Sequence, residues 1–135
     1  MKKLMMSLAF VGLLALPVTA ADVQVIANPS VGAAEVTADD LKEIFLGAKT
    51  SFGGGSVEPV LGGGAHDDFL KAYVGKSDQG LKNHFKSMVF TGKGSMPKSF
   101  ATDADVVKYV MATKGAIGYV SGAADTGAAK KIAVK

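Results

Sequence analysis

Apolar and polar positions fall into short runs of two different periods. Val23–Ala27 (VQVIA) is a β-rich run ended by the turn Asn28-Pro29-Ser30. Val57–Leu61, Ala116–Val120 (AIGYV) and, more weakly, Lys131–Val134 read as further strands. Helical spacing dominates between them. Thr37 and Asp40 have the form of a capping box, Leu41, Ile44 and Phe45 follow on one face, and Gly47 closes the helix. Asp67–Val74 is a short helix with Phe69, Leu70, Tyr73 and Val74 on one side, stopped by Gly75. Ser77 caps a third helix with the stripe Leu81, Phe85, Met88 and Val89. Thr102 and Asp105 open a fourth, lined by Val106, Val107, Val110 and Met111 and stopped by Gly115. Thr50–Ser56 is expected to be a flexible turn and Phe90–Pro97 a loop. Strands alternating with helices predict an α/β layered fold, a mixed sheet flanked by about four helices. Phe45, Phe69, Phe85, Phe90, Tyr109 and Tyr119 are expected in its core.

The first residues stand outside this pattern. Lys2 and Lys3 precede the apolar run Leu4–Pro17, and Val18-Thr19-Ala20 ends in small residues. That is the form of a secretory signal peptide cleaved after Ala20. The run is shorter than the roughly 20 residues a membrane span needs. Residues 1–20 are therefore expected to be a leader, 21–135 a single domain, and the location periplasmic, with no membrane span after cleavage.

Composition narrows the chemistry. All 15 basic residues are lysine, against 12 acids, and two of those lysines leave with the leader. The near-neutral remainder carries no basic stripe of the kind that nucleic acid requires. Arginine, the usual bidentate fork for phosphate, is missing. The chain has no cysteine, hence no disulfide, thiolate or zinc–thiolate chemistry.

Three segments carry a likeness. IFLGAKTSF (Ile44–Phe52), VFTGKGSMPKSF (Val89–Phe100) and VVKYVMATKGAIGYV (Val106–Val120) resemble the small periplasmic proteins related to the phosphate-binding component of ABC-type phosphate importers. The resemblance runs over nearly all of 21–135. It implies a type II periplasmic-binding-protein-like fold reduced to a single lobe, a solute-binding rather than enzymatic role, and phosphate or another small oxyanion as ligand. In such proteins the segment after the second strand resembles a Gly-Ser-Gly-Thr or Glu-Gly-Ser motif, often with an arginine near the helix start. Here that place holds Gly62-Gly63-Gly64-Ala65-His66-Asp67-Asp68. The glycines match, the hydroxyls are absent, and His66 stands near the arginine position.

Strand, glycine turn and helix start form an anion cradle of backbone donors. The candidate ligand-binding residues are Gly63, Gly64, Ala65 and His66, with Lys93 of the Thr91–Ser95 loop as helper. Asp67 and Asp68 oppose this, because acids in a first turn already satisfy the helix dipole and repel an anion. A bare turn without ligand stays open beside it. So does a module that binds a periplasmic protein or itself through the uncovered face of a half-size lobe.

Other chemistry is excluded more firmly. The Gly92-Lys93-Gly94 loop is no Walker A sequence, since Gly94 stands where Ser or Thr is required. His66, Asp67 and Asp68 are neighbours on one helix and do not converge on a metal. With two histidines and no nucleophile elbow, no catalytic residue, metal or cofactor is expected. The pairs Asp39-Asp40 and Asp67-Asp68 both fall at helix starts, where capping accounts for them.

Overall fold

The structure, a computed structural model, describes residues 23–135. The expected leader and its cleavage site lie outside the described residues. The strands are β1 (Val23–Ala27), β2 (Glu35–Val36), β3 (Ser51–Phe52), β4 (Gly55–Ser56), β5 (Glu58–Gly62), β6 (Lys98–Phe100), β7 (Ala116–Ser121) and β8 (Lys130–Val134). The helices are α1 (Ala38–Phe45), α2 (His66–Phe69, continued as a π-helical turn over Leu70–Val74), α3 (Asp78–Phe90) and α4 (Asp103–Ala112).

One mixed sheet runs β2-β8-β1-β7-β5-β6, and β3-β4 forms a separate hairpin. β1 is antiparallel to both β7 and β8, whereas β7, β5 and β6 are mutually parallel. Strand residues alternate between two cores, as side chains on a pleated strand must. On β7, Ile117 and Tyr119 join α1, α2 and α3, while Ala116 and Val120 join α4 on the opposite face. Gly118 lies between Val60, Val106 and Val110, where a methyl group would be 3.2 Å from Val106. The result is three layers, helix–sheet–helix.

The capping signals act as expected. The Thr37, Ser77 and Thr102 hydroxyls accept the N–H groups of Asp40, Gly80 and Asp105. Gly75 closes the π turn in a left-handed conformation. Asn28, buried at the end of β1, donates from its amide to the Val110 and Met111 carbonyls and so finishes α4.

Several expectations need correcting. Thr50–Ser56 is a β hairpin, because Gly53 and Gly54 supply the positive φ a tight turn needs. β2 and β6 are too short to carry an alternating pattern, and neither was anticipated. α4 ends at Ala112, where Asn28 caps it, three residues before Gly115. Phe90 is not core but 93% exposed at the end of α3, and Met111 and Val89 are also exposed. Tyr109 is half-buried against Phe100 and donates to Glu58.

Candidate functional site

β5, β6 and β7 point the same way, so their carboxyl ends share one rim of the sheet. The chain leaves β5 for α2 and α3 on one face and leaves β6 for α4 on the other. The two connections leave on opposite faces, so the topology implies a crevice between their starts, beyond the ends of β5 and β6. In open α/β sheets such a switch point is where ligands bind.

The glycine turn lines this crevice. Gly62 (φ 113°) and Gly63 (φ 84°) hold conformations that side chains rarely adopt. A Cβ on Gly62 would lie 1.9 Å from the Phe100 carbonyl oxygen, so β5 and β6 approach this closely only through glycine. Three of the turn's four donors have a traceable destination. Gly62 N–H donates to the Tyr119 hydroxyl (3.0 Å) and Gly63 N–H to the Phe100 carbonyl (3.0 Å). Gly64 N–H donates to Asp103 Oδ1 (3.0 Å). Ala65 N–H has no acceptor among the described residues.

Asp103 is the feature the sequence did not single out. It sits in the first turn of α4, directly after the Thr102 cap. Its second oxygen accepts the Ser121 hydroxyl (2.7 Å) and the Ser121 N–H (3.3 Å) at the end of β7. One carboxylate is thus gripped by three donors, one from the turn after β5 and two from Ser121 of β7, and lies at the positive end of α4. The crevice already holds an anion, and that anion belongs to the protein.

His66 is placed beside this cluster and is fully engaged. Nδ1 meets the Tyr119 hydroxyl and Nε2 meets Asp78 Oδ1 at 2.7 Å. Tyr119 is buried, and its oxygen takes the Gly62 N–H, so its own hydrogen goes to Nδ1. The Nε2–H tautomer then donates to Asp78, and every hydrogen has an acceptor. Burial pushes the Tyr119 hydroxyl well above the ordinary phenol range, so it stays a neutral donor. Hydrogen bonds from Lys82 and then from His66 hold the Asp78 carboxyl below its ordinary value. Phe69 stacks on Tyr119 at 3.9 Å, and Phe45 meets both rings edge-on. Packing therefore fixes the tyrosine.

Of the expected binding residues, Gly63, Gly64, Ala65 and His66 come together here. Lys93 does not. It lines a groove of about 340 Å³ with Val57, Glu58 and Pro59, at the opposite end of β5. His84 caps Leu46 at the end of α1 and takes no part. Asp67 and Asp68 are exposed in the first turn of α2. Ser121 was missed because a lone serine after an apolar strand carries no signal. Asp103 was missed because Thr102 and Asp105 already explained the helix start.

No family model and no curated protein matches the sequence. Solved structures do match the fold. A Clostridium perfringens protein assigned as a phosphate ABC transporter substrate-binding protein, crystallised with bound phosphate, superposes with a TM-score of 0.62 at 17% identity. An ABC-type phosphate transport receptor from Vibrio cholerae gives 0.55 at 14% identity. Each match covers 84% of this chain but only 44% and 46% of those proteins, so the chain spans less than half their length. The chain has the mixed α/β fold of one lobe of these substrate-binding proteins.

Proposed function

We propose that residues 21–135 form a single exported, non-enzymatic, solute-binding-like domain that takes phosphate or another small oxyanion in the β5–β6 crevice. The grip on the Asp103 carboxylate carries this reading: donors from Gly64 and Ser121 converge on an anion at a switch point. The structural neighbour crystallised with phosphate supports the same ligand class. An incoming oxyanion would displace Asp103, accept from Gly64 and Ser121, and use the unmatched Ala65 N–H. His66, held by Tyr119 and Asp78, would close one side. Gly63 shapes the turn while its N–H remains in the β6 pairing. Lys93 lies too far along β5 to help.

Binding is expected to be weak, because the internal carboxylate competes at high effective concentration. Asp67 and Asp68 add repulsion that solvent screens. Calorimetric titration of the exported protein with millimolar phosphate tests this, with Asp67→Asn/Asp68→Asn as a second arm. No heat from either protein removes the oxyanion reading. The second reading, a periplasmic interaction module or scaffold without its own ligand, is favoured by the same internal pairing, which leaves the crevice satisfied without a solute.

A further inference from the structure

The outer stripe of α3 combines lysines with an exposed aromatic ring. Lys82, Lys86 and Phe90 follow at helical spacing. Lys93 follows in the loop after α3, exposed, its N–H held by the Met88 carbonyl. Leu81 and Phe85 on the inner face fill the core, so Phe90 has no place waiting in it. Phe90 is 93% exposed, and Val89 before it and Met96 in the following loop are about half exposed. From Gln79 to Thr102 the chain carries four lysines and no acid. Lys86, Lys93 and Lys98 make no ion pair among the described residues.

A protruding ring among unpaired cations calls for an apolar, anionic partner. A second copy of this face would set lysines against lysines. An acidic protein would need a pocket shaped for Phe90. Lysine ammonium groups, unlike arginine forks, impose little geometry on what they meet. A lipid surface accepts a ring wherever it lands and responds to charge density rather than to fixed partners.

We propose that this end of α3 docks peripherally on an anionic lipid surface. Phe90 and Val89 enter the headgroup layer, and Lys86, Lys93 and Lys98 lie against lipid phosphates. The proposal is independent of the oxyanion reading, since this face holds neither the donors of the glycine turn nor Asp103 nor Ser121.

Cosedimentation of the exported protein with phosphatidylglycerol/phosphatidylcholine vesicles tests it. The protein should pellet with these vesicles at low salt, stay in solution with pure phosphatidylcholine, and be released as salt shortens the screening length. Phe90→Ser should weaken partitioning about tenfold. Lys86→Gln with Lys93→Gln should weaken it about fivefold per charge. All three positions are exposed, so unchanged thermal melts are expected for these variants. Absence of pelleting with the anionic vesicles overturns the proposal. So does pelleting that Phe90→Ser leaves intact, or vesicle-free self-association that Phe90→Ser abolishes, which would make the face a protein interface.

Discussion

Replacing Asp103 with asparagine separates two effects that the proposed reading assigns to its carboxylate, stabilising the fold and excluding a solute. The substitution keeps the shape and one acceptor oxygen, so Gly64 N–H or the Ser121 hydroxyl can remain bonded. It removes the charge, and it turns an amide NH₂ toward one of the groups that donated to the lost oxygen. Charge-assisted hydrogen bonds and the α4 dipole interaction are weakened, at a cost of about 1–2 kcal/mol. For a domain of this size the melting temperature should fall by about 5–15 °C. The repulsion it relieves is larger for a solute. A unit charge about 5 Å from a bound anion, at an effective dielectric near 20, contributes on the order of 3 kcal/mol. Phosphate should therefore bind the variant about 10- to 100-fold more tightly than the parent. Calorimetry reads that change directly. A melt series gives an independent measure, because ligand at about 100 times its Kd restores about 2.7 kcal/mol. Sodium chloride at matched ionic strength in parallel corrects for the general effect of added salt, since sulfate is itself a small oxyanion of the proposed class. If Asp103→Asn loses stability while phosphate produces neither heat nor a melt shift beyond the chloride control, Asp103 is a structural strut and the crevice is no solute site.

Three further outcomes follow from the same geometry. Tyr119→Phe keeps the stack on Phe69 but strands the buried Gly62 N–H, and urea unfolding should show a loss of about 1–3 kcal/mol; a loss below half a kcal/mol (roughly, the noise of such series) would show that the hydroxyl is not needed. Gly62→Ala drives a Cβ into the Phe100 carbonyl and should cost more than about 3 kcal/mol, with loss of the near-ultraviolet circular dichroism signal. Gly64→Ala, which meets nothing nearer than 3.8 Å, should fold normally, and equal behaviour of the two variants would refute the close-approach argument. Asp78 has a folded-state pKa below its ordinary value of 3.8, so its contribution is present above that pH and is lost as pH falls through the lower folded value. Asp78→Asn should flatten the acid limb of a stability–pH curve below about pH 4, modestly because the side chain is 41% exposed; an unchanged limb would remove His66 and Lys82 as its cause.

Elements with a strong period or a cap could be read from the chain. β1 appears with the expected bounds, and Thr37, Ser77 and Thr102 cap the helices they were expected to cap. The two-residue strands could not be read, since Glu35–Val36 exists only because β8 lies beside it. Phe90 misled because it follows Val89 and Met88 in an apolar run, yet the helix turns it outward just where the core ends. The candidate site divides the same way. Glycines before a helix are visible in one dimension, so Gly63, Gly64, Ala65 and His66 could be named. The partner that fills the turn lies 39 positions further on. An aspartate at a helix start has a local explanation already, and nothing local says that its carboxylate reaches a glycine turn on another strand.

β1 sits in the interior of the sheet, yet it is the first strand of the described chain. Both of its neighbours come from the far end, and the Gln24 amide reaches a carbonyl 97 positions away. During synthesis, therefore, β1 has no neighbour to pair with until β7 and β8 have been made. Chains dominated by such distant pairings fold slowly, because the closure entropy must be met before the contacts reward it. The strands that flank β1 thus close the sheet last, and the apolar positions of β1 stay exposed until they do.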